Sequence, residues 1–220
     1  MKVLEKRLEK HINLLTLRYP VLETIKQEII DSYFVLEESY TKSGKLMIAG
    51  NGGSAADSEH IVGELMKGFK LTRKIPIKFA EELVGIDKEL GNVLVDNLQG
   101  ALPAIALDGH VSLSTAYAND CNPFLCFAQQ VYGYGKKGDV FLGISTSGNS
   151  RNILYAAIVA KAKGLKVIGL TGEKESKLSA LADVCVRVPE TETYMIQELH
   201  LPVYHCWCLM LEDKFFGIDF

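Results

Sequence analysis

The stretch that decides the fold lies at residues 45–69 and reads KLMIAGNGGSAADSEHIVGELMKGF. Apolar residues 46–49 predict a short buried strand. The glycine-rich residues 50–53 end that strand, and a helix is expected to begin at Ser54 or Asp57, with Ser54 a good N-cap. A strand, a glycine turn and a helix N-terminus together predict an anion site, because free N–H groups and the helix dipole face the ligand.

The predicted helix carries His60 and Glu64 on one face, because residues four apart lie one turn apart along a helix. A histidine and a carboxylate so placed, next to a phosphate cradle, are typical of proton transfer or metal binding. The alternative is a solvated helix face on which the two residues pair incidentally.

Composition excludes several classes of protein. The net charge of −3 argues against non-specific nucleic-acid binding. The N-terminus is charged throughout, and no apolar run approaches the length of a membrane span. Five cysteines, an odd number in mostly apolar surroundings, are typical of reduced thiols. These features predict a cytoplasmic protein.

Residues 1–43 are predicted to form two helices that Pro20 separates. Helices ahead of the first strand have no role in a strand–helix–strand unit. Their apolar faces must therefore pack on the domain or on another chain. The second alternative predicts a homo-oligomer that uses this extension for packing.

A second strand–turn–helix unit lies at residues 140–163. Its strand, 140–144, is apolar enough to be buried on both faces. The turn contains four hydroxyl side chains, whereas a helix cap needs one. These hydroxyls, with free N–H groups, predict a site for a phosphate or a sugar hydroxyl; they belong to Ser145, Thr146, Ser147 and Ser150.

The remaining chain alternates predicted strands and helices. Strands are expected at 104–107, 167–170 and 185–188, and a long helix at 194–215. This alternation predicts an α/β fold with a doubly wound, mostly parallel sheet, preceded by two N-terminal helices. Ligands of such sheets bind beyond the carboxyl ends of the strands, where both turns lie.

The segment between the first helix and the second strand has two features. It begins with a loose basic cluster, interpreted as a solvated face or, alternatively, a second phosphate grip; the cluster is Lys67, Lys70, Arg73, Lys74 and Lys78. An amphipathic helix at 79–90 and an apolar run at 93–98 follow. Asn119 and Asp120 are placed in a later connection.

Four ordered motifs, spread over nearly the whole chain, make it resemble the sugar isomerase (SIS) domain family and, more narrowly, the phosphoheptose isomerases. They are AGNGGS at 49–54 with His60 and Glu64, Asn119-Asp120, LGISTSGNS at 142–150, and IQELH at 196–200 with His205. The resemblance implies a single flavodoxin-like three-layer SIS domain over residues 1–220. It also implies interconversion of a ketose and an aldose phosphate on the way to bacterial heptose.

Site roles follow from the resemblance, position by position. Glu64 would be the catalytic base and His205 its acid–base partner. The hydroxyl turn would bind the phosphate through Ser145, Thr146, Ser147 and Ser150. Other substrate contacts would come from Asn51, Gly52, Gly53, Ser54, Glu64, Asn119, Asp120 and Gln197.

The family also implies zinc in some members and a homotetramer with active sites between subunits. The zinc positions correspond to His60, Glu64, Gln197 and His205. Gln197 and His205 lie about 12 Å apart along a regular helix, so one ion could hold both only with help from helix geometry or a second chain. Two departures bear on the sugar: Met195 replaces a common basic residue, and the segment at 70–100 is longer than usual.

The chemistry supports these roles without the family. Moving a carbonyl between C1 and C2 needs a base at carbon and a group that shuttles a proton between the oxygens. Glu64 and His205 fit these tasks, whereas His200 is interpreted as a packed helical histidine. The resemblance implies that the reaction converts sedoheptulose 7-phosphate to D-glycero-D-manno-heptose 7-phosphate. The alternatives are a non-catalytic phosphosugar-binding regulator, which would lack such a Glu and His, or an isomerase of another phosphosugar.

Overall fold

The computed structural model describes residues 3–217, and its centre is a parallel sheet of five strands. The strands are β1 (Leu46–Ala49), β2 (Ala104–Ala106), β3 (Val140–Ile144), β4 (Lys166–Gly172) and β5 (Val184–Val188). Their spatial order is β2-β1-β3-β4-β5, and every neighbouring pair is parallel. The predicted doubly wound α/β fold is confirmed, and its topological switch point lies between β1 and β3.

Helices cover both faces of the sheet. Alternate strand residues point to opposite faces, so Ile48 and Leu142 enter one core while Met47 and Phe141 enter the other. The first core packs against α1 (Glu9–Arg18), α2 (Lys26–Thr41), α3 (Gly53–Met66) and α10 (Thr193–Phe216). The second packs against α7 (Cys126–Tyr134), α8 (Arg151–Ala162) and α9 (Lys177–Leu181).

The N-terminal helices pack on their own chain. Pro20 breaks the helical run as predicted and begins a 3-10 segment, Pro20–Ile25, between α1 and α2. Leu8, Ile12, Ile29 and Leu36 are fully buried in the first core. Packing on the domain is therefore observed for this buried side of the helices, while Leu14, Leu17 and Val21 stay exposed on the outer side.

Two expectations about local structure are wrong. The segment predicted as one helix and an apolar run is a pair of helices, α4 (Ile77–Ile86) and α5 (Lys88–Asn97), because Asp87 interrupts it. The Asp87 side chain accepts a hydrogen bond from the Leu90 N–H and so caps α5. Asn119 and Asp120 end a helix, α6 (Val111–Asp120), instead of lying in a connection. Within residues 3–217, no helix is both long and apolar enough to cross a membrane.

Candidate active site

The glycine turn and the hydroxyl turn are neighbours because β1 and β3 are adjacent. Ala49 of β1 is in register with Gly143 of β3, so both turns leave the same edge of the sheet. Asn51 in the first turn and Asn152 after the second exchange two side-chain hydrogen bonds, of 3.1 and 2.8 Å. The structure thus brings the two predicted substrate turns together at the switch point.

The glycine turn packs closely against the backbone of α3 at Gly50. A Cβ at Gly50 would lie 2.1 Å from the Ser54 carbonyl oxygen, so a side chain there would collide with the helix. Gly52, with φ of 57°, is the N-cap of α3. The expectation that Ser54 caps the helix is wrong: Ser54 is buried in the first turn, where its carbonyl accepts a hydrogen bond from the Ser58 hydroxyl.

The hydroxyl turn lies at the same edge of the sheet, and its side chains differ in burial. Ser145 is buried and its Oγ lies 3.0 Å from Ser150 Oγ, while Ser147 is exposed. Ser147 Oγ accepts a hydrogen bond from the Asn149 N–H. Thr146 and Ser147 line a cavity of about 260 Å³, whose charged lining residues are Lys174 and three glutamates, Glu173, Glu175 and Glu190. A phosphate that enters this turn would replace the Ser145–Ser150 bond with bonds of its own.

A cluster of His60, Glu64 and His205 lies between α3 and α10. His60 Nε2 is 3.3 Å from Glu64 Oε1, and the rings of His60 and His205 meet edge to face with centroids 5.0 Å apart. Phe69 packs on the other side of His205, at 5.4 Å between ring centroids. The predicted base, Glu64, and its predicted partner, His205, therefore both lie beside His60, although 141 positions separate them in sequence.

Several polar atoms in this cluster lack hydrogen-bond partners among the described residues. Glu64 Oε2 and His205 Nε2 are both buried and unbonded, and Lys67 Nζ lies 3.9 Å from Glu64 Oε2, beyond hydrogen-bond distance. Burial lowers the pKa of His205, and the nearby His60 lowers it further, against the opposing effect of Glu64. The lowered pKa favours the neutral imidazole, which has one nitrogen able to accept a proton.

Two predicted contact groups lie apart from this cluster. Gln197 packs on the start of α3, where a Cβ at Gly53 would come within 2.7 Å of its Nε2. Asn119 and Asp120 are exposed at the end of α6, and the Asn119 amide donates to the Asp120 carboxylate at 2.8 Å. Gln197 is therefore near the glycine turn but not among the histidines.

The donor set matches zinc in chemistry, with imidazole nitrogens and carboxylate oxygens. The unbonded Glu64 Oε2 and His205 Nε2 are the atoms that an ion would satisfy. In residues 3–217, however, no three His, Cys, Asp or Glu side chains converge closely enough to hold one ion. The residues match zinc ligands by chemical type, but their observed placement does not fit coordination of one ion.

The sequence alone did not single out Asp57 and Tyr204. The Tyr204 hydroxyl donates to Asp57 Oδ1 at 3.1 Å and lies 3.0 Å from His60 Nδ1. Burial raises the pKa of Asp57 and of the Tyr204 phenol. A signal for Asp57 existed, since it lies one turn before His60 on the same face of α3. No such signal existed for Tyr204. The helix that carries it is mostly apolar, so its sequence does not show which of its residues face α3.

The comparisons with known proteins agree with this geometry. A sequence profile of the SIS domain matches residues 90–172. A phosphoheptose isomerase from Nitratiruptor sp. is 37% identical over 195 residues, covering 89% of this chain and 90% of that protein. Another, from Rhodospirillum rubrum, is 38% identical over 185 residues, covering 84% and 85%. This chain belongs to the phosphoheptose isomerase family.

Solved structures of phosphoheptose isomerases share the fold. GmhA from Neisseria gonorrhoeae aligns with a TM-score of 0.71 at 28% identity, over 94% of this chain and 98% of that one. A phosphoheptose isomerase from Francisella tularensis aligns with a TM-score of 0.70 at 30% identity, over 86% of each chain. The family resemblance is confirmed, while the roles of individual site residues stay predictions.

Proposed function

We propose that this phosphoheptose isomerase family member converts sedoheptulose 7-phosphate to D-glycero-D-manno-heptose 7-phosphate, a step of bacterial heptose biosynthesis. The observation that supports the proposal is that Glu64 and His205, the predicted base and its predicted partner, both lie beside His60 between α3 and α10. The relatives named phosphoheptose isomerase support the same reaction class.

The reaction moves one proton between carbons and one between oxygens. In the ketose, Glu64 would remove a proton from C1 and return it to C2, with an enediol between the two steps. The hydroxyl at C1 would lose its proton while the oxygen at C2 gains one. His205, in the neutral form that its lowered pKa favours, would accept the proton from the C1 hydroxyl and release a proton to the oxygen at C2.

The phosphate would bind at the hydroxyl turn. Ser145, Thr146, Ser147 and Ser150 would donate hydrogen bonds to its oxygens. The Asn51–Asn152 pair would keep the two turns at a constant separation. Glu64 lies 11 residues after Gly53 on α3, about 16 Å along the helix, so the phosphate at this turn and the Glu64 that acts on the same sugar would belong to different subunits.

We extend the proposal to zinc, which His60, Glu64 and His205 would hold after side-chain rotation. Bound zinc would polarise the oxygens on C1 and C2 as a Lewis acid. Gln197 lies on α10 and packs against the start of α3. It would join these ligands only if α10 moved or if it came from a second subunit. We also propose a cytoplasmic homotetramer with active sites between subunits.

The reaction can be tested by incubating purified protein with sedoheptulose 7-phosphate in D₂O and following the product by NMR. Proton transfer through Glu64 predicts product that carries deuterium at C2, because the base exchanges its proton with solvent. Glu64→Gln should bind the substrate and show no turnover, since an amide cannot act as the base.

Two results would redirect the proposal. Binding of the sugar phosphate by the wild-type protein without turnover would indicate the non-catalytic phosphosugar-binding alternative. Near-normal turnover by Glu64→Gln would remove Glu64 from the role of base. A panel of other ketose phosphates, assayed in parallel, would identify a different substrate.

A further inference from the structure

The helical hairpin formed by α4 and α5 is almost entirely exposed. Within residues 77–97, which hold both helices and the Asp87 between them, Gly91 alone is buried. In the described part of the chain, α4 and α5 pack extensively against each other and against no other helix or strand. Helices of ten residues are marginal in water by themselves, because few hydrogen bonds offset the cost of the first turn. The hairpin would therefore be stabilised by a further packing surface.

The two helices cross closely at Gly91, which makes the hairpin one unit. A Cβ at Gly91 would lie 2.5 Å from the Leu83 carbonyl oxygen and 2.7 Å from Val84 Cα, so no larger residue fits without displacing α4. The cap that Asp87 provides to α5 fixes the turn between the helices. A surface that is already ordered loses less conformational entropy when it binds.

Each helix of the hairpin is apolar along one side. At about 100° per residue, the charged residues of each helix fall on one arc and the large apolar residues on the opposite arc. Six large apolar side chains are 42–85% exposed: Ile77, Phe79, Ile86, Leu90, Val93 and Leu94. Together they expose roughly 600 Å² per chain, close to the about 800 Å² that each partner contributes to a specific interface. The charged arcs would stay in water when the apolar sides pack.

A second copy of this chain is the occupant that these features favour. A two-fold contact pairs a surface with itself and closes after two chains, so one apolar hairpin can cover another. The proposed reaction also needs two subunits at one site, because Glu64 and the hydroxyl turn of one chain lie too far apart to act on the same sugar. The hairpin adjoins that site. Together with Phe69, which packs on His205, it lines a cavity of about 1,030 Å³.

We propose that the α4–α5 hairpin is an interaction surface for the same hairpin of a second copy, so that four helices pack about a two-fold axis. The contact is additional to the assembly that the family resemblance implies, because the segment at 70–100 that contains the hairpin is longer than usual in the family. This inference rests on the proposed homo-oligomer and assigns one of its contacts to named residues.

The first test measures mass by light scattering at micromolar concentration. Ile86→Glu should halve the mass, since a two-fold contact would bury two unpaired carboxylates and weaken association at least about a hundredfold. Ile158→Glu is the matched control. It makes the same change at a 51% exposed isoleucine on α8, on the other face of the sheet, and should keep the wild-type mass. Because both positions are exposed, both variants should keep the fold, which circular dichroism checks.

The second test needs no variant to show the contact. In the wild type at micromolar concentration, the backbone amides of residues 77–97 should exchange with deuterium slowly, as in helices covered by a partner. In Ile86→Glu the same amides should exchange at least about tenfold faster, while those of β3 should exchange at the wild-type rate. Fast exchange of residues 77–97 in the wild type overturns the proposal.

The outcomes separate this contact from the oligomer as a whole. A wild-type oligomer whose mass Ile86→Glu leaves unchanged overturns the hairpin contact and leaves the proposed oligomer standing. A monomeric wild type overturns both. Equal loss of mass in Ile86→Glu and Ile158→Glu also overturns the hairpin contact. If the wild type sediments with phosphatidylcholine vesicles and Ile86→Glu, at unchanged mass, does not, the surface belongs to a membrane and the proposal is wrong.

Discussion

Arg73 and Glu212 form a buried ion pair, with Arg73 Nε 2.9 Å from Glu212 Oε1, that ties the end of α3 to α10. Arg73 also donates to the carbonyl oxygens of Glu64 and Leu65 at 2.9 and 2.7 Å. Burial alone would raise the pKa of Glu212, but hydrogen bonds from the Phe69 and Lys70 N–H groups and from Arg73 together lower it. The pair therefore holds the turn of helix that carries Glu64 against the helix that carries His205.

Arg73→Met should lower the free energy of unfolding by about 3–5 kcal/mol, because it leaves the Glu212 carboxylate buried without its cation. Urea unfolding at neutral pH measures the change. The double variant Arg73→Met/Glu212→Leu should recover part of the loss, since it removes the unpaired charge. A single-variant loss below about 1 kcal/mol would mean that water reaches Glu212 and replaces Arg73.

Ser147→Ala should raise the Michaelis constant for the sugar phosphate by roughly tenfold to a hundredfold. The reason is the loss of one charge-assisted hydrogen bond, which is worth about 1.5–3 kcal/mol. Steady-state kinetics with sedoheptulose 7-phosphate and with sedoheptulose separates the effects, because only the first carries the phosphate. Ser112→Ala, an exposed hydroxyl on α6, is the control. Equal effects on the Michaelis constants of both sugars would mean that the phosphate does not bind at this turn.

Because His200 is buried, we expect the protein to lose stability in mild acid. Burial lowers its pKa to about 4, against a weaker opposing hydrogen bond to the Thr171 carbonyl. The unfolded chain, with a histidine pKa near 6.5, binds the proton first, so stability is full above about pH 6.5 and falls toward pH 4. The expected loss from this group is about 3 kcal/mol. His200→Gln should show a shallower decline in urea unfolding measured from pH 7 to 4. Parallel declines in the two proteins would contradict the assignment.

The homo-oligomer stays a prediction. Exposed apolar side chains now provide its physical support. Large apolar side chains are exposed on α4 and α5, including Ile77, Ile86 and Leu90, and on the N-terminal helical segment, at Leu14 and Leu17. Apolar surface of this kind is typical of a contact between chains. Light scattering at micromolar concentration should give the mass of a tetramer, and dilution should shift it toward smaller species. A monomer mass at every concentration would refute the prediction.

Local patterns were sufficient where a residue's surroundings come from its own segment. The glycine turn, the hydroxyl turn and the pairing of His60 with Glu64 depend on strand ends, helix spacing and turn chemistry within 25 residues. The two strands beside these turns could be predicted because their apolar runs are bounded by polar turns. The α4–α5 pair was missed because a single aspartate, Asp87, ends one helix and caps the next within a continuous apolar pattern.

The sequence by itself determined the parallel α/β fold and the two polar turns that leave one edge of its sheet. Only the tertiary structure decided which side chains of α10 meet α3. It placed Tyr204 on Asp57 and His60, His205 beside His60, and Glu212 on Arg73. The physical reason is that α10 is apolar on most of its circumference. Its rotation and register against α3 are therefore set by the packing of the whole core, which no local pattern records.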